Sequence, residues 1–429
     1  KIESRMISTT GKKPILAADG SPLSRSLARS LRQQKIRALL LISPLLIFIF
    51  VAFVMPIVSM LARSANNDIV AETLPDTVIA LKVWDADAGE LPSEEVYSAF
   101  AADIKRAAQA KVHTKLGLRL NYEKSGIASL FKKTARKAKK WDIENDGPFK
   151  EKLLKTHKNW GNVEIWRTIK THSSVYTNGY FLNAIDMRKT LGGAAFQPED
   201  KQIMLMLFQR TLVMSLVITF SCIILGYPVA WLLANLPMRQ ANLLMILVLL
   251  PFWTSLLVRT SAWKVMLQQQ GVINDFLVYF GMVANDGRLA LINNPTGTII
   301  AMTHILLPFM ILPMYSVMQT IPPSYLRAAK SLGANNWTAF WRVYFPQSVP
   351  GIGAGSILVF ILSIGYYITP EIVGGTKGVF ISNRIAFHIL TSLNWGLAAA
   401  LGTILLVVVL VLYWTYDKIV GIDNVKLGG

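Results

Sequence analysis

The apolar residues of this chain fall into long blocks separated by polar stretches. The first block spans residues 38–61, and others follow at 211–234, 241–263, 296–319, 349–372 and 397–416. Each has the length of a bilayer crossing, about 20 residues. Between the first and second blocks lies a stretch of different character. Residues 62–203 carry charges of both signs and no spanning run, so they read as a soluble insert the size of a small domain. Within it, Val96, Phe100, Ile104, Ala107 and Ala108 recur at helical spacing over 94–110, with Pro92-Ser93-Glu94-Glu95 as the helix start. The segment around 127–131 has the same spacing, which predicts a mostly helical insert.

Charge places the blocks across a membrane. Arg25, Arg29, Arg32, Lys35 and Arg37 crowd the end of a polar segment, 1–37, just before the first block. A cleaved signal peptide has an apolar core of only about 7–15 residues. The first block therefore reads as a retained helix with the basic side in the cytoplasm. Alternation then puts the insert outside, loop 321–348 and tail 421–429 (with Lys426) inside, and both termini inside. The basic run Lys132, Lys133, Arg136, Lys137, Lys139 and Lys140 does not oppose this, because long domains cross largely regardless of charge. It reads as a solvated helix face.

Composition narrows the function classes. Hydrophobic residues make up 52% of the chain and charged ones 16%. Soluble domains carry about a quarter charged residues, so a membrane protein is favoured. The net charge of +19 does not point to nucleic acid, since the aromatic residues lie inside apolar blocks rather than among basic ones. The lone Cys222 sits in an apolar run and reads as a small buried hydrophobe. His304 reads as a helix–helix hydrogen-bonding group, and no His, Cys or carboxylate spacing suggests a metal. Tyr227-Pro228 reads as a kink, and Gly351-x-x-x-Gly355 as a close helix contact. Glu371, between Pro370 and Gly374-Gly375, is a membrane-proximal acid and hence a functional candidate. Trp253, Arg259, Trp263, Tyr366, Tyr367 and Trp395 join it as candidate lining of a solute path, since ammonium groups favour carboxylates and aromatic faces. For the aromatic residues an interfacial belt is the bland alternative.

The most informative stretch is 321–351, IPPSYLRAAKSLGANNWTAFWRVYFPQSVPG. Pro322-Pro323 stop one helix and Ser324 can cap the next. Gly333 supplies a left-handed turn. Asn336 can cap a second short helix that Pro346 and Pro350 end. Such a helix–turn–helix is a docking knob, with Ala328 and Ala329 allowing close approach and Trp337, Phe340 and Trp341 as anchors. Arg327-Ala328-Ala329, three residues, Gly333, nine residues, Val343, Tyr344 and Phe345-Pro346 resemble the inner-loop signature of ABC importer permeases: Glu-Ala-Ala, three residues, Gly, nine residues, Ile, one residue, Leu-Pro. Arg327 stands where Glu is usual, Val343 where Ile is, and Phe345 where Leu is. LGYPVAWLLAN (225–235), PFWTSLLVRTSAW (251–263), YITPEIVGG (367–375) and 382–400, with Asn383 and Asn394-Trp395, look like permeases of the spermidine/putrescine type.

The resemblance implies an all-α integral membrane protein: six transmembrane helices of the type I ABC importer permease fold, with a mostly helical extracytoplasmic insert between helices 1 and 2. It implies a transport subunit of the inner membrane rather than an enzyme. The partners it implies are a second homologous permease, an ABC ATPase dimer and an extracytoplasmic solute-binding protein. ATP and Mg would belong to the ATPase, with no cofactor or metal in this chain, which lacks a Gly-Lys-Ser/Thr phosphate loop. The solute implied is a polyamine such as putrescine or spermidine. An opine, ferric iron or an amino-acid derivative are alternatives, and so is an ion-coupled secondary transporter, although no inverted repeat is visible. A receptor is disfavoured because four more crossings follow the second, and a membrane enzyme because no convergent polar cluster stands out.

Overall fold

The computed structural model describes residues 23–420. The basic segment up to residue 22, the side chains of Arg25 and Arg29, and the tail 421–429 with Lys426 lie outside the described residues. Of the described residues, 23–62 form one compact unit and 63–420 a second.

In the first unit, helix α1 (Leu23–Ile49) passes through a π-helical turn (Phe50–Val54) into α2 (Met55–Arg63). The helix thus starts well before the apolar block at 38, because Leu23 to Arg37 contains good helix formers and no breaker. The π-turn is centred on Ala52, four residues before Pro56. The widened turn relieves the clash between a proline ring and the carbonyl four residues back.

The second unit opens with the insert. Its helices are α3 (Asp68–Thr73), α4 (Pro75–Val83), α5 (Glu94–Gln109), α6 (His113–Asn121), α7 (Ile127–Ala138), α8 (Phe149–Thr156), α9 (Val163–Thr171) and α10 (Gly179–Ala184). A hairpin of β1 (Met187–Thr190) and β2 (Gly193–Phe196) follows, with Met187 opposite Phe196. The hairpin was not anticipated from the sequence. Its signal is the two-residue loop Leu191-Gly192 followed by Gly193 at positive φ. The apolar stripe of α5 faces inward as its spacing predicts: Val96, Phe100, Ile104, Ala107 and Ala108 are all buried. They meet an aromatic cluster in which Phe100 lies 4.5 Å from Trp160 and Trp160 lies 5.3 Å from Trp166, centroid to centroid. The polar ends of these rings are satisfied inside the core. Tyr97 Oη donates to Trp160 O at 2.8 Å, and Trp160 Nε1 to Thr134 Oγ1 at 2.9 Å. Ser93 stands at the start of α5, but Glu94 turns away to accept from the Phe149 and Lys150 amides that open α8. Lys132, Lys133, Arg136, Lys137, Lys139 and Lys140 are exposed on and just beyond α7, opposite its buried face.

The last part of the insert belongs to the helices that follow. These are α11 (Met204–Asn235), α12 (Met238–Leu249), α13 (Leu256–Met266), α14 (Val272–Tyr279), α15 (Pro295–Gln319), α16 (Pro323–Ser331), α17 (Asn336–Ala339), α18 (Phe345–Gly365), α19 (Ile368–Val373), α20 (Ile381–Leu390) and α21 (Trp395–Val420). Tyr180 and Ala184 of α10 share an apolar cluster with Leu207, Phe208, Ile381, Ala400 and Leu401. Gly396 lies so close under the Tyr180 ring that no β-carbon would fit there. Behind this contact, Arg119 donates to Glu123 at 2.7 Å and to Asn67 at 2.8 Å, and its guanidinium lies 4.6 Å over the Tyr180 ring. Burial alone would raise the Glu123 pKa, but His172, once protonated at low pH, and Arg119 bring it below the ordinary carboxylate range. Burial pushes His172 down, so at pH 7 it is neutral and its 3.5 Å approach to Glu123 is not an ion pair.

Among the described residues, five helices are long and apolar enough to cross a membrane, and one bent pair brings the number to six if it is one span. The bent pair corrects the expected third crossing, 241–263. The helix breaks at Leu250–Trp253 and restarts at a 94° angle. Pro251 removes a backbone donor, and Ser255 caps the new helix by accepting from the Val258 amide at 3.2 Å. The expected fifth crossing, 349–372, is also corrected. It is continuous from Asn336 to Gly365, and the chain turns at Tyr366-Tyr367 before α19. Apolar side chains such as Leu216, Phe220, Leu243 and Leu410 are exposed along the helices, as a lipid-facing surface requires.

The centre of this helical body is the contact of α15 with α11 and α18. A β-carbon on Gly355 would lie 2.7 Å from Met310 Sδ and 3.0 Å from Met310 O, and one on Gly351 would lie 3.0 Å from Met314 Cα. The Gly351/Gly355 pair thus packs helices as its spacing predicts. Cys222 is buried at the same contact, its thiol 3.6 Å from Thr303 O.

Gly355→Val will lower Tm by several degrees, in line with about 1–3 kcal/mol for overpacking. Gly402→Ala, with open space around it, will not lower it. Differential scanning fluorimetry in detergent distinguishes the two. The insert generates a pH prediction. Because His172 and Glu123 both have lowered folded-state pKa values, the unfolded chain binds more protons, and stability rises with pH. Melting will therefore fall as pH drops below His172's ordinary 6.5, and again below Glu123's ordinary 4.5. In His172→Gln the upper step, between pH 7 and 5, will flatten. A slope unchanged in that variant would assign it to other groups.

Candidate functional site

Two places combine exposure with built chemistry, one at each end of α15. The knob lies at one end. Pro322 occupies the cap position and Pro323 the first turn of α16, so Ser324 is inside the helix rather than capping it. Gly333, at φ +88°, closes α16. Its amide donates to Lys330 O at 3.0 Å, and the Ala334 amide to Ala329 O at 3.0 Å. This paired closure needs a left-handed residue, which explains the glycine. Asn335, one residue earlier than expected, caps α17 by accepting from the Thr338 amide at 2.7 Å. The second short helix does not end at Pro346. A π-helical turn, Phe340–Tyr344, carries it into α18, centred again four residues before a proline.

The knob has an outer and an inner face. Arg327, Ala328, Lys330, Leu332 and Trp337 are exposed, Leu332 to 88% and Trp337 to 71%. Ala329, Val343 and Phe345 are half-buried, and Pro346 is exposed. Phe340, expected to anchor a partner, turns inward instead. Its ring lies 6.1 Å from Tyr227, Phe345 lies 5.8 Å from Tyr227, and Phe340 and Phe345 are 6.5 Å apart, so the three rings form a triangle. Tyr227 Oη and Ser348 Oγ are 3.0 Å apart. Tyr227 is therefore a contact that ties α11 to the knob, and Pro228 sits in a continuous helix. Trp341, 43% exposed, lies 4.8 Å from Phe345.

The other end of α15 is about 37 Å away, at about 1.5 Å per residue over 25 residues. Here the Asn293 amide donates to Val373 O at 2.8 Å, and Thr298 Oγ1 to Gly378 O at 3.2 Å, which fixes α19 against α15. Thr260 and Thr369 hydroxyls, 3.1 Å apart, tie α13 to α19. The sequence-predicted lining divides into groups. Trp263 donates to His304 Nδ1 at 3.1 Å, the helix–helix bond expected of that histidine. Arg259 donates to Thr254 O at 3.2 Å, in the turn just before its own helix α13. Tyr366 and Tyr367 bracket the turn, and their carbonyls accept from Ser382 Oγ at 2.6 Å and Asn383 Nδ2 at 2.8 Å. Glu371 is not at the end of a crossing. It is exposed on α19, where Asn383 Nδ2 donates to its Oε2 at 2.6 Å. Trp253, 78% exposed, and Trp395, which lies under Arg63 at 5.9 Å, stand apart from both groups.

Tyr367 and Glu371 line a cavity of about 720 Å³ between α11, α19 and α20. Arg210, Asn383, Arg384 and Phe387 belong to the same lining, with Thr376, Phe380 and Thr391. Sequence reading assigned no role to either arginine. The available signal was a charged residue, Arg384, in a short helix between two long apolar ones, which marks function in a membrane setting.

The profile of the family described as "Binding-protein-dependent transport system inner membrane component" matches residues 204–420. The spermidine/putrescine transport system permease protein PotB of Escherichia coli (strain K12) is 36% identical over 213 residues, which cover 49% of this chain and 77% of that one. The inner membrane ABC transporter permease protein YdcU of the same organism is 33% identical over 258 residues, 57% of this chain and 80% of that one. Among solved structures, a chain of a bacterial alginate ABC transporter in complex with its pentasaccharide-bound periplasmic protein aligns with a TM-score of 0.41 at 19% identity, over 50% of this chain and 77% of that one. The profile spans half of the chain and starts at the first residue of α11, where the insert ends. This chain belongs to the family of binding-protein-dependent transport system inner membrane components.

Proposed function

We propose that the chain is the membrane-spanning permease subunit of an ATP-driven ABC importer, working with a second homologous permease, an ABC ATPase dimer and an extracytoplasmic solute-binding protein. The observation that carries this reading is the knob. A short helix, a left-handed glycine and a second helix expose Leu332 and Trp337 at the end of α15 remote from the insert. Exposed large apolar side chains on a rigid turn are what a docking contact needs. The insert then lies outside the cytoplasm, both termini lie inside, and hydrolysis takes place in the ATPase. Closure of the ATPase dimer would move the knob. Tyr227, packed against both Phe340 and Phe345, would pass that motion to α11.

The proposed solute is a polyamine. Support comes from the relatives named as spermidine/putrescine permeases, at 36% identity over the core. The exposed carboxylate of Glu371 beside Tyr367, 40% exposed, offers an ammonium group a charge and a ring face. The knob departs from its relatives' usual acid at Arg327, so the partner surface facing it should carry acidic rather than basic groups.

Gly333→Val forces a β-branched residue into a left-handed turn at a cost of about 1–2 kcal/mol. Transport will be lost while ATP hydrolysis by the assembled complex continues and membrane insertion stays normal. Normal transport by this variant would remove the knob from the coupling route. Mild solubilisation with a tag on this chain, followed by mass spectrometry, will recover an ATPase, a second permease and a binding protein that releases a di- or polyamine. A different solute in that binding protein would overturn the polyamine reading alone.

A further inference from the structure

The cavity between α11, α19 and α20 carries more positive charge than a path for polycations requires. Its lining holds the guanidinium groups of Arg210 and Arg384 and the single carboxylate of Glu371. Neither arginine has an acidic partner within ion-pair distance among the described residues. Arg210 Nη1 donates to Thr376 O at 3.1 Å. Arg384 lies 4.8 Å over the Phe387 ring, and its buried Nε meets no hydrogen-bond acceptor among the described residues. A half-buried guanidinium without an acceptor is costly in isolation, and an incoming anion removes that cost. Glu371 is held in place by Asn383, and Glu371, Asn383 and Arg384 all line the one cavity. Met206, Leu207, Phe387 and Leu390 give the same lining apolar surface, and Thr376 and Thr391 add hydroxyls.

We propose that this cavity binds a zwitterionic group, with an ammonium on Glu371 and a phosphate or carboxylate on Arg384 and Arg210. The chemistry is that of a primary amine a few bonds from an oxyanion. A free amino-phosphate or amino-carboxylate solute has it, and so does the headgroup of phosphatidylethanolamine. Arginine suits the anionic end because its planar fork meets two oxygens at once. The apolar flank suits the carbon chain of either source. The ammonium contact on Glu371 is shared with the polyamine reading, but the oxyanion contact is independent of it.

The test uses the full chain in nanodiscs of phosphatidylglycerol, titrated with radiolabelled O-phosphoethanolamine. A second preparation contains equal parts phosphatidylethanolamine and phosphatidylglycerol, and lipid retained by the protein is counted by native mass spectrometry. Saturable binding of the free probe, or preferential retention of phosphatidylethanolamine, supports the proposal, and the arm that responds identifies the source. Arg384→Gln will weaken whichever binding is seen by at least about tenfold, as expected for a hydrogen bond to a charged group. Arg384→Lys will restore part of it, and Arg188→Gln, on the insert hairpin, will leave it unchanged. Unlabelled putrescine, which has no oxyanion, will compete at least about tenfold less well than unlabelled O-phosphoethanolamine, which separates the oxyanion contact from the polyamine reading. The absence of both kinds of binding would overturn the proposal. So would binding that Arg384→Gln leaves intact, or that putrescine displaces as well as unlabelled O-phosphoethanolamine does.

Discussion

Met310 and Met314 occupy the space that a β-carbon on Gly226, Gly351 or Gly355 would need. In lipid no hydrophobic effect pulls helices together, so contact at this range has to come from close van der Waals packing. Glycine on α11 and α18 allows it, and flexible methionine on α15 fills the irregular gap that remains. The rest of the helical body follows from this contact. It holds α15 as a strut, with the knob at one end and the cavity and insert at the other. Tyr227 extends the same packing toward the knob, because its ring packs against both Phe340 and Phe345 on the face of α11 that meets α18.

Helix positions were legible where a single physical demand dominates. Crossings demand apolar length, and the runs at 211–234, 296–319 and 397–416 lie within α11, α15 and α21. Gly333 was legible because only glycine accepts its left-handed conformation cheaply. The Gly351/Gly355 spacing was legible because few uses other than packing need two glycines one turn apart. Prolines were harder to read. Pro251 breaks a helix, whereas Pro346 and Pro56 are absorbed by π-turns, and a proline reads alike in either setting until its neighbours are known. Asn335 and Asn336 are equally good caps in sequence, and the backbone chose the first. Phe340 differs from Trp337 only in facing inward, which follows from the π-turn and from Tyr227 on a distant helix. Arg384 escaped notice because its setting depends on α11 and α19, far from it in sequence.

The insert is more than a tolerated addition. Its aromatic core, centred on Trp160 and Phe100, is its own, but its final segment is shared. Tyr180 packs on Gly396, and Tyr122 donates to Ser392 O, so α6 and α10 grip the start of α21. Arg119 holds this region together through Glu123, Asn67 and the Tyr180 ring. The boundary between insert and helical body is therefore sharp in sequence at about 203 and gradual in space. The exposed lysines of α7 lie on the opposite side of α7 from the residues it buries.

The claim that the knob docks an ATPase is tested most directly by placing a photo-crosslinking residue at Leu332, 88% exposed at its tip, in native membranes supplied with ATP. The account predicts one main adduct, to a protein with a Gly-Lys-Ser/Thr phosphate loop. Adducts only to lipid, or to a protein without such a loop, would contradict it.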